Sequence, residues 1–285
     1  MVQEVLARHP AMGFVSNLDD RLAPLDRLGG GNGALYRRLP PSVTQKGRMR
    51  FAPSEGYRIL DRQVSPIISM PPRDLRGEDV TPWLATRFSS FFERRLESQR
   101  AEVFLHKFTG WPRARFVDGI LPEARFIHIV RDGRAVVNSW LQMTWWLGHR
   151  GPDHWQWGPL SPDDHEVWER SGRSFAVLGA LGWRTLMTAF DSAAAGLGDR
   201  WLELRYEDVV RDPRASFATM LEFCGVAWNP AFEHGFAQHR FSTGRQDAYR
   251  VDLGAAEVAA VERVLADLLV RYGYHSGRPK AVAAR

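Results

Sequence analysis

Arg131 and Ser139 form the pair whose types and spacing could most plainly do chemistry. Five mostly apolar residues, Phe126 to Val130, run into Arg131-Asp132-Gly133-Arg134, and Ser139 follows eight positions after the first arginine. A guanidinium at such a point can grip a phosphate with two hydrogen bonds. A hydroxyl about two helical turns further on can add another contact. A plainer reading stays open at this point: Arg131 pairs with a neighbouring acid, and Ser139 is an ordinary helix serine. Lys107 ends a second apolar run, Val103-Phe-Leu-His. A lysine at the carboxyl end of a parallel strand can steady charge on a transferring group; a solvated strand-end lysine is its plain alternative.

Such groups need elements to hold them. Residues 126–130 suit a strand buried on both faces of a parallel sheet. Asp132 fits an N-cap, and Val136, Val137, Trp140 and Leu141 then repeat at helical spacing, so one helix face packs back on the sheet. The carboxyl ends of parallel strands, where free backbone N–H groups and a helix dipole converge, are where α/β proteins hold anions. Elsewhere, Val2, Val5 and Leu6 make the apolar side of a short helix that stops before His9-Pro10, and residues 12–15 read as a short buried strand. Thr81-Pro82 opens a helix to about Arg100, with Trp83, Leu84, Phe88, Phe91, Phe92 and Leu96 as its apolar residues. Residues 103–107 and 201–206 read as strands, and 113–121, 214–224 and 257–272 as helices. Ser161-Pro162 caps one long helix that carries Val167, Trp168, Phe175, Leu178, Leu181 and Leu186. Residues 34–78 read as loops with one or two short elements, and the glycines of 29–33 as a flexible loop. The repeated βα order predicts a single α/β domain, with a mostly parallel sheet flanked by helices on both faces. It spans residues 1–275, followed by a flexible tail at 276–285.

Composition narrows the function classes. A chain of 285 residues that is 44% hydrophobic can bury a core. One cysteine, Cys224, excludes an internal disulfide and a cysteine-rich zinc site, and fits a reducing compartment. Asp153, His154, Asp163, Asp164 and His165 lack metal-ligand spacing, so no metal is expected. No run of about 18 apolar residues predicts a membrane span. Glu4 precedes any apolar core, so the start does not read as a signal peptide, and a cytoplasmic location is expected. The net charge is +5, and of 38 basic residues only Lys46, Lys107 and Lys280 are lysine. That balance suits an anionic ligand. No basic run interleaved with aromatics marks a nucleic-acid stripe. Seven of the 11 tryptophans lie between Trp140 and Trp183. Those in the loop at 148–161 either pack that loop or offer rings for stacking over an acceptor.

Two strings resemble the sulfotransferase family, whose members use 3′-phosphoadenosine 5′-phosphosulfate (PAPS). The first is Arg131-Asp-Gly-Arg after its apolar strand, with Ser139 beyond; the second is Arg205-Tyr-Glu-Asp-Val-Val-x-Asp-Pro213. The resemblance implies that Arg131 and Ser139 hold the 3′-phosphate and that Tyr206 lies by the adenine. It implies that Lys107 sits near the sulfuryl group, that Asp19 or Asp20 is the catalytic base, and that Ser242, Arg245 and Arg250 close over the 3′-phosphate. The implied function is sulfuryl transfer from PAPS, without a metal, to a hydroxyl or amine on a small-molecule, carbohydrate or peptide acceptor. In the family a Gly-x-x-Arg-Ser-Gly-Thr-Thr-like loop after a central strand cradles the 5′-phosphosulfate. Nothing similar occurs here, so the expectation is that the reading frame upstream of Met1 encodes that strand and loop. A non-catalytic nucleotide-binding or regulatory protein of the same fold is the second reading. A nucleotide kinase is disfavoured, because no Gly-x-x-x-x-Gly-Lys-Ser/Thr appears.

Overall fold

A computed structural model of the chain describes residues 1–25, 28–40, 51–242, 244 and 246–274. Four short strands are present among them: β1 (Met12–Phe14), β2 (Val103–Leu105), β3 (Phe126–Val130) and β4 (Trp201–Arg205). They alternate with helices, so the class is α/β as expected. The pairing is narrower than one broad sheet: β1 pairs with β2, and β3 pairs with β4. Strands of three to five residues carry few ladder hydrogen bonds. The chain weaves between two compact units. The first comprises Met1–His128, Ala189–Leu204 and Asp208–Ser242; the second comprises Ile129–Thr188, Arg205–Glu207 and Thr243–Arg285.

In the first unit β1 and β2 run parallel, with Met12 opposite Val103 and Phe14 opposite Leu105. The Gln99 side-chain amide accepts from the Phe14 N–H and donates to the Phe14 carbonyl, both at 3.0 Å. It thereby satisfies backbone groups as a neighbouring strand would. Gly13 permits this closeness, because a Cβ there would lie 3.0 Å from Ala101 and 3.1 Å from the Gln99 oxygen. Gln99 ends the long helix Pro82–Gln99, which Thr81 caps; its Leu84, Phe88 and Phe91 are buried, as the spacing predicted, whereas Trp83 in the first turn is exposed. The core around them takes in Ile59, Leu60, Ile68 and Phe116.

Residues 34–78 hold more structure than expected, including the helices Asn32–Arg38 and Tyr57–Gln63. The glycine-rich stretch is tied down rather than flexible. Gly31, at φ 83°, starts the first of these helices, and buried Asn32 donates to Asp19 Oδ1 at 2.9 Å and to Ser16 Oγ at 3.0 Å.

The second unit packs the helix Gly133–Leu141 against Trp183 and Leu265. A Cβ on Gly133 would meet Leu265 at 2.7 Å and Trp183 at 2.9 Å, so this site has room for no larger residue. The single long helix expected after Ser161 is instead two, Pro162–Arg170 and Phe175–Ala194. Gly172 and Arg173 break it, both with positive φ, at 69° and 61°. Left-handed backbone cannot continue a right-handed helix. Trp146, Trp155 and Trp157 are buried, and Trp140 lies 4.2 Å from Trp157 between ring centroids. Packing therefore accounts for most of that tryptophan-rich stretch, and Trp145 remains exposed.

Candidate functional site

Strand β3 ends at Val130, and the helix Gly133–Leu141 starts three residues later. Asp132 caps it, accepting from the Arg134 N–H at 2.9 Å. The Arg134 guanidinium then donates to Asp132 Oδ2 at 2.7 Å and to Glu262 Oε1 at 2.5 Å. Burial opposes the charge on Arg134, but these bonds outweigh it and hold the group above its ordinary pKa. Arg134 is thus occupied inside the unit.

Arg131 is placed differently. It is half-buried, with its guanidinium carbon 5.0 Å from the centroid of the Tyr206 ring. Its Nε is buried without a hydrogen-bond partner, and among the described residues no carboxylate pairs with it. The plainer reading of Arg131, an ion pair with a neighbouring acid, therefore does not hold among these residues. A guanidinium over a ring face keeps N–H donors for a further group. Tyr206 opens the helix Tyr206–Arg211 directly after β4, one residue beyond the strand that was expected to contain it.

The two family-like strings meet through their neighbours as well. Glu207 accepts from the Asp132 N–H at 3.2 Å and from the Tyr274 hydroxyl at 2.6 Å. Burial, and then that hydrogen bond, push the Tyr274 hydroxyl above its ordinary pKa. The other face of this arrangement is Arg205, whose guanidinium carbon lies 4.4 Å from the Tyr274 ring centroid. Arg205 also has a buried Nε with no partner. Each of the two strand ends thus offers an arginine laid on a tyrosine.

One expectation changes here. Free backbone N–H groups were expected at the start of this helix, but the carboxylates of Asp132 and Glu207 already accept from two of them. An anion at this junction would be met mainly by side chains. Ser139 is half-buried, and its hydroxyl makes no hydrogen bond among the described residues. Its neighbour Asn138 is engaged, donating to Asp252 at 2.8 Å.

Each of the remaining candidates has its own surroundings. Ser242 is exposed and has a partner of its own. Arg245 lies outside the described residues. Arg250 is exposed in the short helix Tyr249–Asp252, with Nε 3.4 Å from Asp247 and its guanidinium over the adjacent Tyr249 ring. In the first unit, Lys107 is exposed two residues past β2 and pairs with Glu55 at 2.7 Å. Asp19 is buried and serves a capping box, accepting from the Ser16 N–H at 3.1 Å and hydroxyl at 2.7 Å as well as from Asn32. Asp20 Oδ1 accepts from the Ile59 N–H at 3.1 Å.

Arg205, Glu207 and Tyr274 were not foreseen. Arg205 and Glu207 stand inside the second string, flanking Tyr206, so their place beside a candidate was a usable signal. Tyr274 carried none, since it lies 67 positions from the Glu207 it bonds.

Comparison with known proteins agrees with the two strings. Residues 31–230 match the model of the Sulfotransferase family. The chain belongs to the sulfotransferase family, and with it to a family of transferases. No curated protein matches it significantly. Among solved structures, it is similar to the sulfotransferase domain from the Synechococcus PCC 7002 olefin synthase. The match has 17% identity and a TM-score of 0.40, covering 99% of this chain and 85% of that one. Among the described residues, no helix is long and apolar enough to cross a membrane.

Proposed function

We propose that the second unit binds PAPS and that the chain transfers its sulfuryl group to a hydroxyl or amine. The observation that carries this reading is the state of Arg131. It is a half-buried guanidinium with a shielded, unpartnered Nε and, among the described residues, no carboxylate of its own, beside a tyrosine ring. Desolvating a cation without a partner costs free energy, so such a group fits a site that an anion completes. Arg131 and the unengaged Ser139 hydroxyl would hold the 3′-phosphate, and Tyr206 would lie by the adenine. Bound PAPS supplies an activated sulfuryl group on a phosphate leaving group. The acceptor is a small molecule, a carbohydrate or a peptide.

One observation favours a second reading, nucleotide binding without transfer. Lys107, Asp19 and Asp20 each have a protein partner, so none of the three stands free as a base or a charge donor. A single pair of assays separates the two. Calorimetric titration with adenosine 3′,5′-bisphosphate measures binding, and labelled PAPS with a mixture of acceptor classes measures transfer. Binding with transfer supports the first reading, and binding alone supports the second. Absence of binding contradicts both.

A further inference from the structure

Arg131 makes no hydrogen bond of its own among the described residues. Whatever fixes it must act on the backbone at its two sides and on the ring it lies against. One pair of side chains reaches all three. Glu207 Oε1 accepts from the N–H of Asp132, the residue after Arg131, at 3.2 Å. Glu207 Oε2 accepts from the Tyr274 hydroxyl at 2.6 Å. A hydroxyl has one proton to give, and the nearer carboxylate takes it. The same hydroxyl lies 3.4 Å from the carbonyl of Val130, the residue before Arg131. Glu207 also directly follows Tyr206, whose ring carries the Arg131 guanidinium. All of these residues belong to the second unit. The bond at their centre is well shielded, since Tyr274 is 4% exposed. Burial, and then Glu207, hold the Tyr274 hydroxyl above its ordinary pKa, so it keeps the proton it donates.

We propose that Tyr274 is a positioning residue, which by donating to Glu207 holds the exit of β3 so that Arg131 is presented to the 3′-phosphate. Tyr274 touches no nucleotide in this role. The ligand named here rests on the PAPS reading, whereas the hold on Arg131 does not. An unpaired guanidinium has many rotamers, and a binding group serves best when the residues behind it are locked by packing and hydrogen bonds. Here the lock comes from far along the chain, because Tyr274 stands 144 positions after the Val130 it touches. Arg205 supports it from its ring face, with the guanidinium carbon 4.4 Å from the Tyr274 centroid. Without the hydroxyl, Glu207 is a carboxylate one donor short, and it is free to turn away from the Asp132 N–H.

The test compares Tyr274→Phe with Tyr249→Phe in the whole chain. Tyr249 is the control: it lies in the same unit, and its hydroxyl is buried but bonds nothing among the described residues. The first readout needs no nucleotide. It is the Nε–H resonance of Arg131 in 15N-labelled protein, assigned by its loss in Arg131→Ala. That signal should shift in Tyr274→Phe and stay in place in Tyr249→Phe. The second readout is the ratio of affinities for adenosine 3′,5′-bisphosphate and adenosine 5′-monophosphate. In Tyr274→Phe this preference should fall about tenfold, as for one lost charge-assisted hydrogen bond, with affinity for the monophosphate nearly the same. Glu207→Gln should keep the preference, because its amide oxygen still accepts from the Asp132 N–H and its amide N–H can donate to the Tyr274 oxygen. Glu207→Ala should lose it. If Tyr274→Phe does not fold, the Gln and Ala variants of Glu207 carry both readouts. An Arg131 signal that does not move, or a native preference that survives the loss of the hydroxyl, overturns the proposal. A native chain with no preference for the bisphosphate contradicts the PAPS reading instead, and the Arg131 signal then decides alone whether Tyr274 holds it.

Discussion

Arg131 and Arg134 are three positions apart in one string, yet they have opposite situations. Arg134 sits between Asp132 and Glu262, with 4% of its side chain exposed. Removing it strands two carboxylates, and breaking such a buried pair costs about 3–5 kcal/mol. Arg134→Ala is therefore expected to lower the urea midpoint sharply. Arg131→Ala removes no ion pair, so its stability should change by less than about 1 kcal/mol. Equal loss in the two variants would contradict the division of labour. The sequence showed that an arginine at this junction could serve an anion, but not which one would be free. The answer depends on Glu262, 128 positions away from Arg134. Asp19 teaches the same lesson from the other side. Its candidacy as a base rested on its place in the chain, whereas its carboxylate is taken up by Ser16 and Asn32.

Among the elements, those with strong periodicity were legible. The helix Pro82–Gln99 and the strand Phe126–Val130 follow directly from apolar spacing and from Thr81-Pro82. The break at Gly172 and Arg173 was not, because the apolar repeat continues across it and only a positive φ stops the helix. Strand pairing was legible only in part, since short strands settle their partners through distant contacts, as Gln99 does for Phe14. Gly133 joins the site to its supports. It lets the Gly133–Leu141 helix approach Trp183 and Leu265, and so fixes where Arg131 leaves β3. Gly133→Ala is expected to overpack this contact and to cost about 1–3 kcal/mol, read as a lower unfolding midpoint. An unchanged midpoint would mean that the helix shifts freely and that the junction is not held rigidly.

At the scale of the molecule, family membership was legible from two strings of about ten residues each, and the division into two interleaved units was not. No linker composition marks the places where the chain passes from one unit to the other. Acid stability is a property of the whole chain that can be derived. Burial, with nearby positive charge, lowers His106 to a pKa of about 3 and His239 to about 4. Below about pH 6.5 the unfolded chain protonates these rings while the folded one does not. Stability is therefore lost as pH falls from about 6.5 towards 3–4, by up to about 1.4 kcal/mol per pH unit for each group. Asp74 acts in the opposite sense: burial raises it to about 6, so its own contribution declines as pH rises from about 4 to 6. The stability difference between the native chain and His106→Phe isolates the histidine, because Asp74 is common to both. That difference should shift in favour of the variant as pH drops below 6.5. A difference constant with pH would show that His106 titrates alike in both states.

The central claim is that Arg131 grips a 3′-phosphate. The most direct measurement compares adenosine 3′,5′-bisphosphate with adenosine 5′-monophosphate by calorimetry, in the native chain and in Arg131→Ala. Losing a charged hydrogen-bond pair is worth about 1.5–3 kcal/mol, or about 10- to 150-fold. The native chain should prefer the bisphosphate, and that preference should shrink by this factor in the variant while affinity for the monophosphate stays nearly the same. An unchanged preference, or an equal loss for both nucleotides, would contradict the account.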